Sequence, residues 1–149
     1  MELGAGREWT DPTCPVARTV DLVGDRWSLL IVRDAMDGAA SFTEFRQRLG
    51  IARNILADRL RRLVDNGILA TSTASGGKRH VYELTAAGKD LFTTIVALRQ
   101  WGERHAFTAG EARSTLTDLA GNELAELGPR TLAGREIGAD TSQVRRPVT

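Results

Sequence analysis

Between Ser41 and Leu84 the chain spells out a short helix, a tight turn, a longer helix and a hairpin, an order that leaves few folds open. Ser41 is a good N-cap, and Glu44 three residues on completes a capping box. Phe42, Phe45 and Leu49 mark the buried side of this short helix, and Gly50 ends it. Arg53 to Asn66 reads as the longer helix, with Leu56, Leu60, Leu63 and Val64 forming an inward stripe at helical spacing. Asn66-Gly67 is its stop signal. Ile68 to Thr73 and Arg79 to Leu84, rich in β-branched and apolar residues, flank Ala74-Ser75-Gly76-Gly77-Lys78 and read as a hairpin with a basic tip.

The flanking segments supply more helix. Cys14-Pro15 opens a first helix carrying Val16, Val20, Leu22 and Val23, and Gly24-Asp25 breaks it. Arg26 to Met36 follows as a second helix, ended by Asp37-Gly38. After the hairpin, Thr85 caps a long helix expected to run unbroken to about Phe107. Its apolar residues Leu91, Phe92, Ile95, Val96, Leu98 and Trp101 cover more than one face, so a second surface, a twin subunit, is expected to cover the rest. Beyond Ala109, Leu119-Ala120-Gly121-Asn122-Glu123-Leu124 recurs as Leu132-Ala133-Gly134-Arg135-Glu136-Ile137, which suggests two similar turns in a small β meander. The expected organisation is mainly α with one small β-hairpin. A flexible tail (1–13) precedes a winged helix-turn-helix domain with a long C-terminal dimerisation helix (14–107), and a β-rich extension with an end open to disorder follows (108–149).

Charge is unevenly spread. From Ser41 to His80 there are eight basic residues against three acids, +5, while the whole chain carries +1, so the remainder carries −4. Positive charge gathered on the helices and hairpin suits a phosphate-facing surface; a solvated helix face is the alternative reading. The N-terminal residues hold no apolar run fit for a signal peptide, and no window is apolar enough for a membrane span, so a cytoplasmic protein is expected. Cys14 is the single cysteine, which excludes an internal disulfide and a multi-cysteine metal site. No paired carboxylates, no nucleophile with its base and no ligand-spaced histidines occur, so neither an enzyme nor a cofactor is expected. His80 and His105 are assigned to packing, and Trp27 and Trp101 to a core or an interface.

Helix, tight turn, helix and basic hairpin is the order of a winged helix-turn-helix, in which one helix enters the major groove of double-stranded DNA and the hairpin meets phosphates or the minor groove. With Leu56, Leu60 and Leu63 inward, a rotation of about 100° per residue sends Asn54, Ile55, Asp58, Arg61, Arg62 and Asp65 outward. Arg53, Asn54, Asp58, Arg61 and Arg62 are the candidate base readers, because Arg suits guanine, Asn adenine and Asp the cytosine amino group. A solvated face stitched by Asp58 and Arg62 is the competing reading. Arg26, Arg46, Lys78 and Arg79 are the candidate phosphate contacts.

Cys14-Pro15-Val16, Gly24-Asp25-Arg26-Trp27, Phe42-x-x-Phe45, Gly50-Ile51, Leu56-x-x-Arg59-Leu60-x-x-Leu63, Asn66-Gly67-Ile68, Tyr82-x-Leu84-Thr85-x-x-Gly88 and Trp101-Gly102 together resemble the HxlR-type bacterial regulators, from Cys14 to about Ala106. The resemblance implies a homodimer pairing through its first and last helices, binding a palindromic operator, and repressing or activating neighbouring genes. Some relatives sense electrophiles or oxidants through the cysteine that matches Cys14. A helix start and the nearby Arg18 would favour its thiolate, whereas a small buried apolar residue is the bland alternative. Two positions depart from the family pattern. The hairpin tip Ser75-Gly76-Gly77-Lys78 lacks the prolines of many relatives, and Ala52 stands where a capping Ser is frequent, weakening that helix start by about 1 kcal/mol unless Asn54 compensates. A winged-helix module used only for protein association remains the alternative function. The small-molecule effector, if any, is not written in the sequence.

Overall fold

The computed structural model describes residues 6–73, 76–77 and 79–148. The chain divides into two compact units, Met1–Ile95 and Val96–Thr149, with the division falling inside the last helix. Among the described residues no helix is long and apolar enough to cross a membrane.

In the first unit, α1 (Pro15–Val23) begins at Cys14, whose sulfur accepts the Ala17 N–H, and ends at Gly24. Helix α2 (Arg26–Met36) starts on Asp25, whose carboxylate accepts the N–H groups of Trp27 and Ser28. Helix α3 (Phe42–Leu49) starts on Ser41, whose hydroxyl accepts the Glu44 N–H and donates back to the Glu44 carboxylate. Gly50 then turns the chain left-handed at φ +62°. Buried Ile51 plugs that turn, and three residues separate α3 from α4 (Arg53–Asp65).

The inward stripe of α4, Leu56, Leu60 and Leu63, is fully buried against Phe45 of α3 and Ile31 and Val32 of α2, making one core for the three helices. The end of α4 is a Schellman motif: Ile68 donates to the Leu63 carbonyl and Gly67, at φ +73°, to that of Val64. The hairpin leaves directly from this cap. Strand β1 (Leu69–Thr73) pairs antiparallel with β2 (His80–Leu84), Leu69 opposite Leu84 and Thr73 opposite His80. Two fastenings hold the hairpin to the helices. Tyr82 N–H donates to the Ala40 carbonyl at 2.8 Å while its ring meets Phe45 edge-on, and the Thr85 hydroxyl donates to the Gly67 carbonyl at 2.6 Å.

The long helix expected after Thr85 is two helices, α5 (Ala86–Asp90) and α6 (Phe92–His105). The break comes from a tightened turn at Leu91, whose N–H bonds the Gly88 carbonyl three residues back instead of four. Residues 6–13, read from the sequence as part of a tail, are tied to α1 and to the cap of α4. Arg7 donates to Asn66 Oδ1 at 2.8 Å, Thr10 donates twice to the Asp21 carboxylate, and the Trp9 ring has the guanidinium groups of Arg7 and Arg18 over it at 5.5 and 4.8 Å.

In the second unit, the chain after α6 forms two matched turns, each closed by a single antiparallel bridge, Thr117 with Glu123 and Arg130 with Glu136. Each turn has its glycine left-handed, Gly121 at φ +87° and Gly134 at φ +84°. Equivalent backbone bonds close them, Asp118 N–H to the Asn122 carbonyl and Thr131 N–H to that of Arg135. A 3₁₀ turn, Ala139–Thr141, follows.

Candidate nucleic-acid interface

The side of α4 opposite its leucines presents Asn54, Arg61, Arg62 and Asp65, all exposed, with Ile55 and Asp58 half-buried between them. Asp58 is the hub of this face. Its Oδ1 accepts from Arg61 Nη2 and its Oδ2 from Arg59 Nη1, both at 2.6 Å, with Arg62 Nη1 at 3.7 Å from Oδ2. The Arg61 hydrogen bond, reinforced by Arg59 and Arg62, holds the Asp58 carboxyl below the ordinary carboxylate value. Asp58, taken from the sequence as a base reader, therefore already serves three guanidiniums of its own helix.

Arg59 supports this face through a contact that no local signal in the sequence marks. Its Nε donates to Asp25 Oδ2 at 2.9 Å, across 34 residues, and its side chain is only 24% exposed. Burial favours the neutral acid at Asp25, but hydrogen bonds from Ser28 and the Arg59 guanidinium outweigh it and hold the carboxyl below its usual value. The same bond pushes the Arg59 pKa up. One carboxylate thus caps α2 and anchors α4, and Arg59 carries that anchorage to Asp58 on the outward face.

A recess opens between α3 and the start of α4, lined by Thr43, Arg46, Gln47, Gly50, Ile51 and Arg53. No side chain caps α4: Ala52 has no polar group to offer, and Asn54, the candidate substitute, does not take that place. The first N–H groups of α4 are left beside two exposed guanidiniums, a setting that favours an anion. The Arg53 guanidinium lies over the Phe42 ring at 5.4 Å. Arg26 lies over Trp27 at 4.6 Å at the start of α2, and Arg79 is exposed just before β2. Lys78, the expected basic tip, lies outside the described residues. The structure thus brings Arg46 and Arg53 together in one recess and Asp58, Arg61 and Arg62 together on one helix face.

Cys14 is half-buried at the start of α1. Arg18, expected to sit beside its sulfur, donates instead to the Pro12 carbonyl at 2.8 Å and stacks on Trp9. Trp27 packs against the core, whereas Trp101 is exposed and tilted against His105, itself exposed, at 5.0 Å. His80 is exposed rather than packed.

Three core helices with a tight α3–α4 turn and a hairpin fastened to the end of α4 define a winged helix-turn-helix protein. Residues 22–109 match the family model described as HxlR-like helix-turn-helix, and the chain belongs to that family. The uncharacterized HTH-type transcriptional regulator Rv3095 of Mycobacterium tuberculosis is 46% identical over 91 residues, 60% of this chain and 58% of that protein. The chain thus matches less than two thirds of that relative's length. The crystal structure of PA1607, a candidate transcription factor, superposes with a TM-score of 0.84 at 43% identity over 91% of this chain and 96% of that one, a span that takes in most of the extension beyond Phe107. The redox regulator HypR in its oxidized form superposes at a TM-score of 0.58, with 30% identity, over 64% of this chain and 100% of its own.

Proposed function

We propose that this chain is a cytoplasmic transcriptional regulator that binds operator DNA as a homodimer through α4. The observation that carries the reading is the outward face of α4. It sets Asn54, Arg61 and Arg62 on one rod, beside a recess where Arg46, Arg53 and the uncapped helix start face solvent. An α-helix fits the major groove, and Arg and Asn side chains suit the guanine and adenine edges there. Arg26, Arg46 and Arg79 supply phosphate contacts, which fix register without reading sequence, and Arg53, read from the sequence as a base contact, joins them because it stands in the recess with Arg46. In a twofold dimer the two α4 helices enter successive major grooves about 34 Å apart, which matches a palindromic operator.

The test is binding of the full chain to duplexes from its own upstream region, followed by fluorescence anisotropy at several salt concentrations. Nanomolar binding to one duplex, with random DNA weaker by about 1,000-fold or more, is the expected result. No binding at low salt sinks the reading and favours a protein-association module.

Likeness to a redox regulator and the place of Cys14 at the start of α1 support an oxidant response as part of this function. With no second cysteine in the chain, hydrogen peroxide would oxidise the Cys14 thiol to a sulfenic acid with release of water, and that sulfenic acid would condense, losing a second water, with Cys14 of the other subunit or with a small thiol. Mass analysis after mild oxidant should show a doubled or thiol-adducted mass that Cys14→Ser abolishes. An unmodified mass removes the oxidant arm and leaves the DNA arm standing.

A further inference from the structure

The second unit carries several large apolar side chains that its own chain does not cover. Leu119 and Leu132 are fully exposed, each on the loop of its matched turn. Leu98, Trp101, Phe107, Leu124 and Leu127 of the same unit are also exposed, and Val96 is its one buried hydrophobic residue among those described. At roughly 150–200 Å² for a fully exposed large apolar residue, this surface is on the order of 800 Å². Taken together, that is the area one partner contributes to a stable protein–protein interface.

The polar side of the extension is already engaged. Gln100 of α6 donates to the Ala125 carbonyl and accepts the Leu127 N–H, at 3.0 and 2.7 Å, and Arg99 donates to Ser114. Arg104 pairs with Glu126 at 3.3 Å. Those bonds seat the extension along α6 and leave Leu119 and Leu132 without neighbours. The occupant is set by charge. From Val96 to Thr149 there are seven basic and seven acidic side chains, a net charge of zero. A neutral surface offers no attraction to nucleic acid or to an anionic membrane, and it meets a copy of itself without net repulsion. Dimers of this kind pair one surface with itself, so each apolar patch needs only its twin.

We propose that the C-terminal unit is a clasp: Leu119 and Leu132 of each chain seat on a second copy, with the exposed Leu98 and Trp101 of that copy's α6 as the receiving surface. The inference rests on the homodimer reading and specifies which surface holds the dimer.

Sedimentation velocity of the full chain across a dilution series separates the outcomes. The double variant Leu119→Asp/Leu132→Asp should raise the dimer dissociation constant on the order of 100-fold or more, from two buried leucines lost, with an unchanged far-UV circular dichroism spectrum. A wild-type dimer that the double variant leaves equally tight overturns the clasp and keeps the dimer. A wild type that is monomeric throughout overturns the dimer reading and the clasp with it. Hydrogen exchange on the wild type gives a measurement independent of how the variant folds. Amides from Thr117 to Ile137 should be protected above the dissociation constant and exchange freely below it, and equal exchange at both concentrations overturns the clasp.

Discussion

Asp58 Oδ1 accepts a hydrogen bond from Arg61 Nη2 at 2.6 Å, so the arginine best placed on the outward face of α4 is partly neutralised by its own helix. The carboxylate also holds Arg59 and approaches Arg62. Asp58→Asn removes a negative charge from a surface proposed to face phosphates. Binding to random duplex should tighten, and the gap between operator and random DNA should narrow, since repulsion of wrong sites is part of specificity. Anisotropy titrations on both duplexes at two salt concentrations would show it; an unchanged ratio would place Asp58 away from the groove.

Arg53 and Arg61 should fail differently. Arg53 stands in the recess with Arg46, at an uncapped helix start suited to a phosphate, so Arg53→Ala should weaken all sequences alike and reduce the salt slope by about 1. Arg61 is on the outward face, and Arg61→Ala should cost about 1–3 kcal/mol at one base position and relax preference there. A panel of operators mutated one pair at a time distinguishes the two. An even loss for Arg61→Ala would make it another phosphate contact.

Much of this was legible in the sequence because the signals were local. Ser41 and Gly50 are cap and stop residues, and α3 begins and ends on them. The leucine period of α4 fixed its buried side for the same reason. What escaped depends on contacts distant in the chain. Nothing near Arg59 announces a partner 34 residues away at Asp25. The proximity of Arg18 to Cys14 suggested a charge on the thiol, but Trp9 and the Pro12 carbonyl take that guanidinium. The break at Leu91 has no Gly or Pro at its own position, being set by an i to i+3 bond. The repeat announced two similar turns, but whether their leucines stand clear of the chain depends on how each turn packs, which no local pattern encodes.

Asp25→Ala should destabilise the first unit by about 1–2 kcal/mol near neutral pH, because one carboxylate both caps α2 and holds Arg59. The pH dependence has a definite sign. The folded Asp25 carboxyl lies below its unfolded value of 3.8, so its contribution is complete above about pH 4. It is lost as pH falls through the folded value. Urea melts from neutral pH into acid should show wild type and Asp25→Asn converging at the acid end. Parallel curves would mean that the carboxylate is not ionically engaged.

Two glycines separate strain of the backbone from lack of room. Gly50 sits at φ +62° with nothing within 4 Å of where a Cβ would stand, so Gly50→Ala should cost about 1 kcal/mol through the dihedral alone. Gly88 lies inside α5 with helical backbone, but a Cβ there would collide with the Ile68 carbonyl oxygen. That oxygen accepts the Thr85 N–H and hydroxyl at the base of the hairpin, so it cannot retreat without breaking the fastening between wing and α4. Gly88→Ala should therefore cost about 2–3 kcal/mol by overpacking, although alanine is the better helix former. It should also loosen the wing, raising hydrogen exchange across β1 and β2 ahead of global unfolding. Equal losses for the two variants, or a stabilised Gly88→Ala, would show that the hairpin base yields and that this close approach does not fix the wing.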